Sequence, residues 1–182
     1  RIDGTRNRHL LYGMWWRALL IFLIGLAMNF IPQLDVSTVR IPGVLQRIAL
    51  CTFIAAPLVI WSGVIGQGVA MFALFALYSA LMLGVAVPDA NGVVAAGRLE
   101  AGRDFGAYLD RLLLSGHLWA KVKTWDPEGL VSTLPAVGNV LAGSIAGLYL
   151  RRRQAAGEST RFMLGSVWVG AVALFIGDIM NQ

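Results

Sequence analysis

Long, uninterrupted apolar runs limit what this chain can become more than any other feature of it. A hydrocarbon layer about 30 Å thick is crossed by about 20 apolar residues in a helix. Five stretches reach that length: residues 10–31, 41–61, 64–87, 130–150 and about 162–179. None alternates with period two, and within lipid a helix satisfies its own backbone whereas an open sheet cannot. The expected fold is all-α: a polytopic transmembrane helical bundle with five spans, forming a single membrane domain over residues 1–182. Charged residues make up 14% of the chain, against about one quarter in soluble domains. That shortage excludes a disordered chain, a nucleic-acid-binding tail and most water-soluble enzymes. The net charge of +5 does not point to nucleic acid either, because the basic residues cluster beside the apolar runs, as they do in membrane proteins that orient by positive charge.

Arg1, Arg6, Arg8 and Arg17 flank the first span, and Arg151, Arg152, Arg153 and Arg161 fill the link between the fourth and fifth. Asp3 and Glu158 are the only acids nearby, so both regions are expected to be cytoplasmic. The link 32–40 and the long loop 88–129 then fall on the extracytoplasmic side. In that loop Asp104 precedes Phe105, Tyr108, Leu109, Leu112 and Leu113, which share one helical face, while Asp110 and Arg111 occupy the other. This predicts a short amphipathic helix lying on the bilayer or on the mouth of the bundle. Gly138, Gly143 and Gly147 suit close helix approach, and Trp15 and Trp16 fall where indoles favour the headgroup layer. The lone Cys51 allows no intrachain disulfide. The chain starts at Arg1 without a signal-peptide cleavage pattern and is expected to be a piece of a longer protein.

Several polar residues stand out against this apolar background. Arg47, one turn into the second span, costs about 2.5–3.5 kcal/mol near a bilayer centre and less if it snorkels. It is either an interfacial charge or an inward guanidinium that pairs a carboxylate or phosphate. Gln46 beside it points elsewhere on the helix. His117 is a general-base or sugar-binding candidate, or else a structural hydrogen-bonder, followed as it is by Leu118 and Trp119. His9 reads as a solvated side chain. The run Asp126-Pro127-Glu128-Gly129 has the chemistry of a helix start, yet it also sets two carboxylates at the mouth of the fourth span. Pro135 is then expected inside that helix, kinking it and freeing a carbonyl. Asn29 and Asn139 are expected to hydrogen-bond between helices, and Asp178 to sit at an interface. No zinc-type Cys/His spacing, phosphate loop, dinucleotide fingerprint or nucleophile elbow occurs, so no metal site is expected.

Three segments in series carry a family resemblance. Arg40-Ile41-Pro42-Gly43-Val44-Leu45-Gln46-Arg47-Ile48-Ala49-Leu50-Cys51 resembles a hallmark of the heparan-α-glucosaminide N-acetyltransferase family, including its bacterial members. Gly106 to Leu114 with His117-Leu118 resembles that family's outer loop, and Trp125 to Pro135 resembles the start of its next span. Order and spacing agree over roughly residues 10–165, and the pattern is lost after Asp178. The resemblance implies a membrane acyltransferase that passes acetyl from cytoplasmic acetyl-CoA to the amino group of a terminal glucosamine across the membrane. It also implies that the family's catalytic histidine lies upstream of this chain, so neither His9 nor His117 inherits that role and the piece alone is inactive. On this reading Gln46 and Arg47 orient the cofactor or the acceptor, Asp126 and Glu128 bind the sugar, His117 and Trp119 pack on it, and Asn139 is a further candidate.

The competing expectation is a transporter or a structural membrane domain without transferase activity, for which Pro57 and Pro135 permit broken helices. The absence of Asn-x-Ser/Thr sequons favours a bacterial cytoplasmic membrane. The expected partners are the lipid bilayer and an amino-sugar acceptor, with room for a homo-oligomer.

Overall fold

The computed structural model describes residues 4–32, 34–119, 121–156 and 159–180. Of the residues used above to orient the chain, Arg1, Asp3 and Glu158 lie outside these, as does the side chain of Arg161. Among the described residues the chain forms α1 (Gly4–Phe30), α2 (Val44–Trp61), α3 (Val64–Gly84), β1 (Val87–Pro88), β2 (Val94–Ala95), α4 (Phe105–Leu114), α5 (Thr133–Ala155) and α6 (Ser159–Met180). Four of these, α1, α2, α3 and α5, are long and apolar enough to cross a membrane. α6 is helical as expected, but its described apolar stretch, Met163–Val172, is shorter than a span. The fold divides into two compact units, residues 1–142 and 143–182. The second holds the end of α5 and α6.

Within that first unit α1 packs along α2. Gly25 lets the helices close until a Cβ there would stand 2.7 Å from the Leu45 Cβ. The small core gathers Cys51 and Ala55 of α2 with Val137 and Leu141 of α5, and Met71 and Leu74 of α3 pack against it. Gly138 of α5 lies under the Phe75 ring, which a Cβ would meet at 2.8 Å, so close helix approach in this unit falls on Gly138. β1 and β2 form a two-residue antiparallel ribbon, an element absent from the expected all-helical pattern because two-residue strands leave no periodicity to read.

Pro57 sits inside α2 and lacks the N–H that would bond the Phe53 carbonyl. The helix nevertheless continues. The Trp15 indole of α1 stacks on the Phe53 ring, centroids 4.6 Å apart, and its Nε1–H donates to that same carbonyl at 3.0 Å. Trp15 thus serves a helix–helix bond, while Trp16 stays exposed.

Two further expectations at α5 are corrected. The Asp126–Gly129 run is not the helix start: the helix begins at Thr133, after consecutive turns. The Asp126 side chain instead accepts from Glu128 N at 3.0 Å, and its carbonyl from Gly129 N, so cap-type chemistry closes a turn here. Pro135 consequently occupies the first helical turn, where an N–H goes unbonded anyway. It frees nothing, since Leu134 N donates to the Val131 carbonyl.

The helix α4 is turned opposite to a soluble amphipathic helix. Asp104 caps it, accepting from Ala107 N at 2.8 Å. Its polar side, with Ala107 and Asp110, is buried, and Leu112 and Leu113 are exposed.

Replacing Trp15 with Phe keeps the stack but removes the donor to the Phe53 carbonyl. Because that bond is exposed, its loss costs about 0.5–1.5 kcal/mol, the net worth of an ordinary hydrogen bond. In a Pro57→Ala background, where the backbone N–H returns, the same replacement is expected to cost less than half as much. Denaturant unfolding of the four variants in mixed micelles measures the difference.

Candidate functional site

Arg40, at the end of the link before α2, reaches across 86 residues of sequence to the turn before α5. Its Nε donates to Asp126 Oδ2 at 2.8 Å and its Nη2 to Asp126 Oδ1 at 2.6 Å, while Nη2 also pairs with Glu128. The Asp126 side chain is wholly buried, and that of Arg40 is 26% exposed. A fork geometry of this kind is the strong form of the ion pair. The hydrogen bond from Asp126 raises the Arg40 guanidinium further above its ordinary range.

The Arg40 backbone is itself pinned. Asn29 Nδ2 donates to the Arg40 carbonyl at 2.8 Å, His117 Nδ1–H donates to the Val39 carbonyl at 2.8 Å, and Ile41 N donates to the His117 carbonyl at 3.0 Å. The carbonyl partner fixes the His117 proton on Nδ1, so this histidine acts as a tie between the link and the loop. Arg47 donates to the Ser132 carbonyl at 2.8 Å and approaches that of Pro127 at 3.5 Å. It meets backbone carbonyls rather than a carboxylate, and so holds the turns that carry Asp126 and Glu128. Arg111 works the same way on the other side, donating to the carbonyls of Gly102, Thr124 and Pro88.

These ties surround a cavity of about 270 Å³. Tyr78 and Met82 from the last turns of α3, Asp104 and Asp110 from α4, and Trp125 and Asp126 line it. Asp110 is 2% exposed. It accepts from Leu130 N at 3.0 Å, and its other oxygen lies so near Gly129 that a Cβ there would overlap it. Burial, with smaller contributions from the charges of Asp126 and Asp104, pushes its carboxyl up from 3.8 to about 6. Asp104, Asp110 and Asp126 line this one cavity. Arg40 offsets the charge of Asp126, so the carboxylates of Asp104 and Asp110 remain as acceptors suited to an amine or a polyol.

The remaining candidates distribute unevenly. Trp119 meets Trp125 edge-on at 6.0 Å and carries the Lys121 ammonium at 5.6 Å from its ring, so it backs the cavity wall rather than lining it. Gln46 is buried against Gly25 and Gly43, and its Nε2 lacks a partner among the described residues. Asn139 is exposed on α5 and joins none of these contacts, and Asn29 bonds the Arg40 carbonyl of the link rather than a second helix. No group of three metal-ligating side chains occurs among the described residues. Arg40, Asp110 and Tyr78 were not singled out by sequence. Arg40 had a usable signal, being the one cation in a link whose opposite loop carries the Asp126–Glu128 pair. Asp110 had none, because a polar face is ordinarily assigned to water. No protein-family model matches the chain, and no curated protein matches it.

A carboxyl whose folded value lies above its unfolded value favours folding when protonated. The Asp110 contribution is therefore full below about pH 4, declines as pH rises toward 6, and is lost above it. Subtracting the stability–pH curve of Asp110→Asn from that of the parent should leave a fall of about 2–3 kcal/mol between pH 4 and 7; a flat difference would contradict the burial. Gly129→Ala, which drives a methyl into Asp110, should destabilise by at least as much.

Proposed function

We propose that this chain is part of a membrane-bound acyltransferase that passes acetyl from cytoplasmic acetyl-CoA to the amino group of a terminal glucosamine or related amino sugar on the far side. The observation that carries the reading is the acidic cavity bordered by Tyr78 and Trp125. Carboxylates accept from an ammonium and from hydroxyls, and an aromatic edge packs on a sugar face. Each of the three segments bears on this cavity: Arg40 and Arg47 of the first hold the turns that carry Asp126, while Asp110 of the second and Trp125 and Asp126 of the third line it.

In the reaction, the neutral amine attacks the thioester carbonyl carbon, an amide forms, the C–S bond breaks, and the amine proton leaves through a base. His117 is tied to Val39, which fits the resemblance in placing that base upstream. The carboxylate lining is a poor seat for the phosphates of a CoA donor, and Arg47 donates to backbone carbonyls, so this cavity is assigned to the acceptor. The proposal includes a fifth span through α6, the loop 88–129 outside the cytoplasm, and residence in a bacterial cytoplasmic membrane. A transporter would lean on broken helices, but α2 passes through Pro57 intact and Pro135 lies in the first turn of α5.

The test uses full-length protein in proteoliposomes, with acetyl-CoA on one side and glucosamine-terminated acceptor on the other. Asp104→Asn keeps the helix cap, since Asn caps as well as Asp, and removes one charge from the cavity. It should raise KM for the amine acceptor by about ten-fold, the weight of one charge-assisted contact, with kcat little changed. Absence of acetyl-CoA-dependent product from the parent protein would end the acyltransferase reading.

A further inference from the structure

A larger cavity, about 500 Å³, lies apart from the acidic one, on the side of the α1–α2 pair. Among its lining residues Ala18 of α1 and Ala49 of α2 are the most deeply buried, each 2–3% exposed, and form its floor. Trp16, Leu19, Phe22 and Phe53 wall it. From Tyr12 to Phe22 the groove follows ten residues of helix, about 15 Å at 1.5 Å per residue, which equals one leaflet of a hydrocarbon core about 30 Å thick.

The same stripe of α1 changes character toward its N-terminus. Arg8 stands one turn before Tyr12 on the same face, and it is exposed. Among the described residues no carboxylate pairs with it, and α1 holds no acid from Thr5 to Phe30. A cation, a tyrosine hydroxyl and then an aromatic-walled trough one leaflet long follow the layout of a phospholipid: phosphate, glycerol ester, acyl chain. The Trp15 indole N–H is already committed to Phe53, so Tyr12 and Arg8 are the groups left for the polar end.

We propose that the α1–α2 groove is a binding site for an anionic phospholipid, with one acyl chain between Trp16 and Phe53 and its phosphate on Arg8. This requires only that α1 and α2 lie in the membrane, and it is independent of the acyltransferase reading. A helix from elsewhere in a longer chain or a second copy would be the competing occupant, but neither accounts for a cation that no described carboxylate pairs at the end of an apolar trough.

The test is tryptophan quenching in vesicles of the full-length protein, comparing brominated phosphatidylglycerol with brominated phosphatidylcholine at equal mole fraction. The Trp16 share is taken as the difference between the parent and Trp16→Phe. The brominated phosphatidylglycerol should quench that share with about five-fold higher apparent affinity, the weight of one arginine near a phosphate. Arg8→Gln, which alters only an exposed side chain, should abolish the preference while leaving non-selective quenching. Ala49→Leu, which fills the floor, should weaken quenching by both lipids. Equal quenching by the two lipids, a preference that survives Arg8→Gln, or no quenching of Trp16 at all would each overturn the proposal, the last because protein would then cover the groove.

Discussion

The buried carboxylate of Asp126 constrains the rest of the first unit. A charge taken wholly out of water must be matched by a partner of good geometry, or the fold that buries it is lost. Arg40 supplies that match through two hydrogen bonds to Asp126 and a contact with Glu128. Because Arg40 belongs to the link before α2 and Asp126 to the turns before α5, one side-chain pair closes segments that are distant in sequence. Asn29, His117 and Arg47 then hold the two strands of that closure in place through backbone carbonyls. Each is a polar residue near an apolar run, and each finds a carbonyl that the local backbone leaves open.

The cavity follows from the same closure. Once the turns 126–132 are fixed, Gly129 brings the backbone against Asp110, and α4 is obliged to present its polar side inward. The result is a set of carboxylates around a small polar space whose outer surface, at Leu112 and Leu113, is apolar. This inversion of the usual amphipathic arrangement makes sense beside a bilayer, where the outer face need not meet water. It also explains why the Asp110 carboxyl is raised: burial outweighs the hydrogen bond it accepts from Leu130.

Much of this was legible in the residues themselves, and the rest was not for identifiable reasons. The four long apolar helices follow from run length and composition alone, and Asp104 as the cap of α4 follows from its place before an apolar face. Asp126 and Glu128 were recognisable as a polar mouth, although their turn was mistaken for a helix start, since Asx turns and helix caps use the same residue types. Asp110 falls on the polar face of α4 by its spacing, but its burial is not legible, because periodicity identifies two faces without saying which one meets the protein. The service of Trp15 to the carbonyl that Pro57 abandons joins residues 38 apart in sequence, and no local pattern links them.

The most direct measurement of the central claim is a double-mutant cycle between Arg40→Met and Asp126→Leu, read by denaturant unfolding of the full-length protein in mixed micelles. Arg40→Met alone should be costly, toward the lower end of the about 3–5 kcal/mol seen when a buried pair loses one partner, because a quarter of Arg40 is solvated. The double replacement should recover most of that loss, leaving a coupling of at least about 2 kcal/mol. Losses that simply add would show that Asp126 is not held by Arg40, and the closure described here would not be what organises the site.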